Sequence, residues 1–349
     1  MGDVLNHPGD LVAWRRWHEW RHPVRQAARA ARTRVRPPAG ARVDVLTPGP
    51  DADVLVAVEA THTSVDRAVV APLTHLAPGR TAIVAPVGWQ PPPEYVGHRR
   101  RSIPLADLPS DVAPRVVLAA GHYTAIGEVV FALADDRALP FFVSQHGALT
   151  PFAPPLPRAA RLLAWSDVDG EFWTAGRDDV SVTTTGSQLL WAAGSLATDG
   201  RAPSSTRVSL VYLGQGHAAE IARARLAHAA LTTCRQHGAI YRPHPSERDV
   251  TSRAVLAAYA RAGITVDTSS VPLVDLESPI VSVFSTGVLE AAARGRDAWV
   301  DFPRPPAWLG EFWERYGMHR LGSTPTTAPD RPAVEPARRI AEIVSGAVR

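Results

Sequence analysis

From Arg42 onward, short apolar runs alternate with longer stretches of helical periodicity. Strand-like runs fall at Arg42–Leu46, Val54–Val58, Thr81–Val87, Arg115–Ala119 and Phe141–Ser144, with helical patterns at Thr63–Leu76 and Thr124–Ala138 between them. Apolar runs separated in this way by helices predict a largely parallel sheet covered on both faces. A second series repeats the rhythm. It comprises strands at Val208–Leu213, Ala239–Arg242, Ile264–Val266 and Ile280–Phe284, and helices at Ala218–His237, Ser252–Ala262 and Thr286–Arg294. Between the series, Thr183–Ser205 is rich in Gly, Ser and Thr and reads as a linker. The expectation is an α/β protein of two doubly wound, Rossmann-like parallel-sheet domains facing a cleft. Residues 41–200 form the first and 206–330 the second, with a helix within 331–349 closing the chain. No solenoid-type repeat is visible.

Residues 1–40 differ from the rest of the chain. The stretch Leu11–Arg36 carries eight arginines and three tryptophans, Trp14, Trp17 and Trp20. That spacing sets the three rings near one face of a helix, which Pro23 kinks and Pro37-Pro38 ends. Two uses fit the pattern: packing of the tryptophans against the body of the protein, or peripheral contact of residues 11–36 with an anionic membrane.

Composition narrows the class. With 349 residues, 45% of them hydrophobic and 20% charged, the chain has material for two folded cores and does not resemble a disordered protein. No apolar run approaches bilayer length, and the start of the chain lacks the charged and apolar regions of a secretory signal. A single cysteine, Cys234, excludes an internal disulfide framework or a cysteine-rich zinc site. These features point to the cytoplasm, with the inner face of the membrane as the place where a peripheral contact would be made. All 37 basic residues are arginine, as a GC-rich coding sequence favours, and the net charge of +3 suits anionic ligands without demanding nucleic acid.

Ligands of open parallel sheets bind where loops gather at the carboxyl ends of strands. Three polar clusters occupy such positions. Ser144-Gln145-His146-Gly147 follows the run at Phe141 and offers an imidazole suited to proton transfer near neutral pH, beside a glycine that permits close approach. The alternative is a strand-end histidine bonded to a neighbouring loop. Tyr241-Arg242-Pro243-His244-Pro245 holds His244 between two prolines and adds the planar donor fork of Arg242, a pairing suited to phosphate, with a plain proline-rich turn as the alternative. Ser285-Thr286-Gly287, with Glu290 one turn later, opens a helix after a strand. Its N–H groups, hydroxyls and dipole suit an anion, and the same residues suit simple capping. Glu290 either reaches a ribose or faces solvent. Weaker signals are the turn Gly214-Gln215-Gly216-His217, the pair Glu59 and His62 on the acceptor side or in a surface loop, and Asp167-Val168-Asp169, a short D-x-D pattern. His22, His75, His98 and His237 read as surface or satisfied core residues.

The ordered motifs FFVSQHG, YRPHP and FSTGVLEAAARG resemble the GT-B group that includes CDP-glycerol glycerophosphotransferases, bacterial sialyl- and polysialyltransferases and UDP-N-acetylglucosamine 2-epimerases. The likeness covers about Arg42 to Asp301. It implies a GT-B fold with His244 on the donor phosphate, Ser285 and Thr286 as the second phosphate contact, and His146 as general base. Gln145 stands where the glycerophosphotransferases typically have tryptophan. Neither the paired-acid-and-glycine motif of sialyltransferases nor the Gly-Gly pair of the epimerases is evident.

The expected activity is metal-independent transfer of a glycosyl or alditol-phosphate group from a nucleotide-activated donor to a hydroxyl acceptor. The resemblance places that chemistry in cell-envelope or capsular polysaccharide synthesis, with a lipid-linked acceptor among the options. Arg242, His244, Ser285, Thr286, Gly287, Glu290, Gly214 and Gln215 are expected on the donor, and Gln145, Gly147, Glu59 and His62 near the acceptor. No metal or other cofactor is expected. UDP-sugar 2-epimerisation and non-catalytic binding are the alternatives.

Overall fold

The computed structural model describes residues 5–21, 40–49, 52–60, 62–197, 209–269 and 271–348. Two compact units emerge, one built on Val4–Leu189 with Pro332–Arg349 and the other on Leu190–Arg331.

The first unit begins with helix α1 (Leu11–Trp20), capped by the Asp10 carboxylate on the Ala13 N–H. Eight strands follow: β1 (Arg42–Thr47), β2 (Val54–Ala57), β3 (Thr81–Pro86), β4 (Arg99–Pro104), β5 (Val116–Ala119), β6 (Phe141–Ser144), β7 (Arg161–Ala164) and β8 (Ser181–Thr184). They form one sheet in the order β4-β1-β3-β2-β5-β6-β7-β8. From β3 to β8 all neighbours are parallel. Strand β1 runs antiparallel to both β3 and β4, with Val45 opposite Val84 on one side and Arg101 on the other.

The sheet is therefore mixed: largely parallel, as the strand–helix rhythm predicts, with β1 antiparallel to both of its neighbours. An apolar run carries no record of its direction, so periodicity left this open. Asp44 fixes the arrangement locally. Its buried carboxylate accepts from the Gly88 N–H at 2.8 Å, from Arg100 at 3.1 Å and from the Ser102 hydroxyl, joining β1 to β4 and to the turn after β3.

Both faces of this sheet are covered. One face packs Leu55, Val84, Val117 and Val143 against Ile126, Val130 and Leu133 of α2 (Ala125–Asp136) and Phe172 and Trp173 of α3 (Asp167–Thr174). The other packs Val56, Ile83, Leu118 and Phe142 against Val65, Val69 and Leu73, from successive turns of differing pitch over residues 63–75. Ile340, Ala341 and Val344 of the C-terminal helix Pro336–Gly346 complete that second face. Alternate residues of each strand thus feed separate cores, as period-2 geometry requires.

Helix α1 lies on the same unit. The Trp14 indole N–H donates to the Phe152 carbonyl at 2.8 Å, Trp17 stacks on Phe152 at 4.8 Å between centroids, and Arg15 grips Glu128 of α2 with both guanidinium nitrogens. Trp20 is exposed. Residues 22–36, the remainder of the arginine-rich segment, lie outside the described residues.

Helix α4 (Gln188–Ser195) spans the division between units, and with β8 it occupies the front of the expected linker. Residues 198–205 of that linker lie outside the described residues. In the second unit β9 (Val211–Leu213), β10 (Ile240–Arg242), β11 (Ile280–Ser282) and β12 (Ala298–Val300) form a parallel sheet ordered β10-β9-β11-β12. Helices α5 (Arg223–His237), α6 (Val250–Arg261), α7 (Thr286–Ala293) and α8 (Ala307–Arg315) accompany it. The strand expected at Ile264–Val266 reduces to one parallel bridge from Val266 to Tyr241. Among the described residues no helix is long and apolar enough to cross a membrane.

Candidate functional site

The first unit gathers its polar residues where the central strands β2, β5 and β6 end. Glu59, beyond β2, is not in a solvated loop. Its carboxylate accepts from the backbone N–H groups of Ala120 at 2.9 Å and Gly121 at 3.0 Å, just after β5, and from the Thr124 hydroxyl. Thr124 also caps α2 by accepting from the Gly127 N–H at 3.0 Å. A Cβ on Gly127 would meet the Gly121 carbonyl at 2.5 Å and Glu59 Oε2 at 2.9 Å, so a glycine is required for this approach. Between these groups Tyr123 reaches His146 beyond β6, with the hydroxyl 3.1 Å from Nε2. His62 lies alongside, 6.4 Å from His146 between ring centroids and bonded through Nδ1 to Ser64. Glu59, His62, Tyr123 and His146 thus share one end of the sheet.

Their protonation follows from burial. Withdrawal from water pushes the His146 pKa down to about 4, helped by the neighbouring His62. The Ser144 carbonyl favours the charged ring weakly, and Nδ1 lies outside hydrogen-bond geometry with any described residue. His62 is lowered by burial as well, against the pull of Asp66. Burial raises Tyr123, so its phenol stays protonated and donates to His146. The sequence anticipated a histidine titrating near neutrality; instead it stays neutral there, because its surroundings penalise the imidazolium.

Burial also pushes Glu59 up to about 7 in spite of its three donors. A carboxyl whose folded pKa lies above its unfolded value gives stability that is lost as pH rises from about 4.5 to about 7. Glutamine can keep the two N–H acceptor bonds and donate to Thr124 without carrying charge. Glu59→Gln is therefore expected to be more stable than wild type at pH 8, by about 3 kcal/mol, and nearly equal to it at pH 4.5. Urea denaturation at the two pH values checks this; parallel pH curves for the two proteins would exclude it.

Two residues expected near the acceptor are engaged internally. Gln145 is buried, donates to the Gly147 carbonyl at 3.1 Å and the Asp169 carboxylate at 3.0 Å, and accepts from the Trp165 N–H at 2.8 Å. It ties the ends of β6 and β7 together, and Gly147 serves as its acceptor. Of the D-x-D pair, Asp169 is buried on Gln145 and Asp167 accepts from the Thr184 hydroxyl, both in the first turn of α3. Among the described residues no three His, Cys, Asp or Glu side chains converge as metal ligands.

The second unit brings its three clusters together on adjacent strands. The turn 214–217 follows β9, His244 follows β10, and Ser285 follows β11. The first two are tied together by Glu247, which the motifs did not reveal. Its buried carboxylate accepts from the Tyr241 hydroxyl at 2.8 Å, from the Gly216 N–H at 2.9 Å and from the His244 N–H at 3.3 Å. Burial raises its pKa while these donors pull it back. A Cβ on Gly214 would stand 2.3 Å from the Tyr241 hydroxyl, so that glycine serves the Tyr241–Glu247 pair.

His244 is exposed, and its Nδ1 accepts from the Ser246 N–H at 3.1 Å. A ring that accepts at Nδ1 in its neutral form carries its proton on Nε2, where it is a donor. The His217 ring stacks on it, with centroids 3.8 Å apart and planes 18° from parallel.

The remaining expected donor contacts divide. Ser285 caps α7 by accepting from the Gly287 N–H at 3.1 Å, and Thr286 is the first residue of that helix. Gly287 is a packing glycine, since a Cβ would lie 2.7 Å from Leu273 and 2.9 Å from Leu213. Glu290 is buried within α7 and does not face solvent. Gln215 accepts from Ser282 at 3.1 Å and from the Phe284 N–H at 2.8 Å, lacing β9 to β11. Arg242 donates to Asp267 at 2.9 Å and to the Val271 carbonyl, so its fork is held within its own unit. That leaves His244 and the α7 start as the groups best disposed toward an anion.

Tyr123 and Thr124 went unnoticed although the same rule marks them: the polar run Gly121-His122-Tyr123-Thr124 follows an apolar strand and opens a helix. Glu247 had only its spacing from His244 as a signal. No family model and no curated protein matches the chain.

Proposed function

We propose that the chain is a transferase that moves a glycosyl or alditol-phosphate group from a nucleotide-activated donor to a hydroxyl acceptor. The observation that carries this reading is the His244 turn: an exposed imidazole with its Nδ1 occupied by Ser246, after a strand that neighbours the one leading to the 214–217 turn, with the strand leading to the α7 start next in the sheet. An Nε2–H donor together with the N–H groups of a helix start stabilises charge growing on a departing phosphate. His146, neutral and bonded to Tyr123, supplies the base. It takes the proton of the acceptor hydroxyl at Nε2, directly or through the Tyr123 hydroxyl. The GT-B arrangement, the cell-envelope setting and the peripheral membrane contact belong to the same proposal, and rest on the resemblance of the three motifs.

The test is a thermal-shift panel of UDP, CDP, CMP, GDP and TDP on wild type and His244→Ala, followed by transfer assays with the nucleotide that binds. A ligand at about a hundred times its Kd stabilises a fold by about 2.7 kcal/mol, well within detection. Wild type is expected to respond to one of the five and His244→Ala to lose both response and transfer while remaining folded. Full transfer by His244→Ala would sink the scheme, and isomerisation of a UDP-sugar without acceptor would replace transfer with epimerisation.

A further inference from the structure

We infer that His217 is a positioning residue for the phosphate site, clamping the His244 imidazole so that Nε2–H is presented to a nucleotide phosphate. The inference rests on the proposed donor reading and extends it to His217, the residue of the 214–217 turn that had no assigned role. His244 has an exposed side chain, and the flanking prolines fix its backbone without fixing its ring. Contacts on an edge and on a face hold the ring. The Ser246 N–H engages Nδ1 at 3.1 Å, and the His217 ring covers one face at 3.8 Å, tilted by 18°. The stack is not an accident of two mobile side chains. Glu247 binds the Gly216 N–H at 2.9 Å and the His244 N–H at 3.3 Å, so one buried carboxylate sets the separation of the two turns that carry the rings. A turn within residues 215–218, closed by the Ala218 N–H on the Gln215 carbonyl at 2.9 Å, holds His217 in turn.

The physical role is restriction of rotation about the His244 side chain. Without a neighbouring ring the imidazole can flip, exchange Nδ1 for Nε2 at the Ser246 N–H, and lose the single orientation that a phosphate would meet. A planar aromatic ring is enough for this clamp; a basic nitrogen on residue 217 is not required. That distinguishes positioning from a second phosphate contact, for which phenylalanine would fail.

Two measurements on His217→Ala and His217→Phe test it. The first is the long-range proton–nitrogen NMR spectrum of the histidine rings without nucleotide, with His244 assigned as the signal missing in His244→Gln. Wild type and His217→Phe are expected to show one Nε2–H tautomer, and His217→Ala an averaged pattern. The second is calorimetric affinity for whichever of UDP, CDP, CMP, GDP and TDP binds wild type. His217→Ala should weaken it roughly tenfold, about the worth of one aromatic pair, and His217→Phe should stay within about threefold. An unchanged tautomer in His217→Ala overturns the inference, as does unchanged affinity in that variant where His244→Ala loses affinity. A His217→Phe protein as weak as His217→Ala overturns it too, showing that the imidazole itself is needed. Wild-type affinity in His244→Ala is a separate outcome: it removes the phosphate reading itself, while the ring spectrum still decides the clamp.

Discussion

Replacing Glu247 with alanine is expected to destabilise the second unit by about 3 kcal/mol or more and to remove nucleotide binding with it. The carboxylate is buried and accepts from three groups at once: the Tyr241 hydroxyl, the Gly216 N–H and the His244 N–H. Truncation leaves those donors unsatisfied and opens a void beside Tyr241, and each unsatisfied buried donor costs about 1–3 kcal/mol. Glu247→Gln is the informative companion. Its carbonyl oxygen keeps both N–H bonds, and only the Tyr241 hydroxyl must turn round to accept, so the loss should be about 1 kcal/mol. Chemical denaturation measures both, and nucleotide affinity should follow stability of the turns. An alanine variant with wild-type stability would show that Glu247 does not organise this end of the sheet.

His146→Ala is expected to lower transfer by about two to four orders of magnitude, the usual contribution of a general base. Nucleotide affinity should not change, because the proposed phosphate contacts all belong to the other unit. A second signature is the pH profile. A base must be unprotonated, and burial holds His146 down to about 4, so its loss of activity on acidification should be centred near pH 4 instead of near the ordinary histidine value. The direction is strict: activity falls as pH drops through the folded pKa and stays level above it. An acid limb near 6.5, or wild-type turnover in His146→Ala, would remove His146 from the proton transfer and leave Tyr123 or Glu59 to be tested in its place.

The elements that repeat an apolar pattern were legible from sequence. Strands β2, β3, β5 and β6 lie where their Val-, Ile- and Leu-rich runs place them, and α2, α5, α6 and α7 lie within a few residues of the expected helices. Those strands are buried on both faces, so hydrophobicity alone marks them. Strand β4 escaped because it begins with Arg99-Arg100-Arg101 on the exposed edge of the sheet, where polar side chains are tolerated and no apolar run is needed. Strands β7 and β12 also escaped, although they are as long as strands that were found, and α8 carries its apolar residues among prolines and charged neighbours. The site shows the same division. His146 and His244 were found because a polar residue after an apolar strand is conspicuous. Glu247 was not, because a carboxylate in a loop looks solvated until the chain folds over it.

By itself, then, the sequence determined the α/β class, most of the strand and helix positions, and the loops in which His146, His244 and Ser285 stand, since these follow from local periodicity and from the chemistry of strand ends. Only the tertiary structure decided the antiparallel direction of β1, the union of Glu59 with the backbone after β5, the diversion of Gln145, Gln215 and Arg242 to internal bonds, and the stack of His217 on His244. Each depends on contacts between residues tens of positions apart or on the burial of a charge, and neither leaves a mark on the local pattern of a chain.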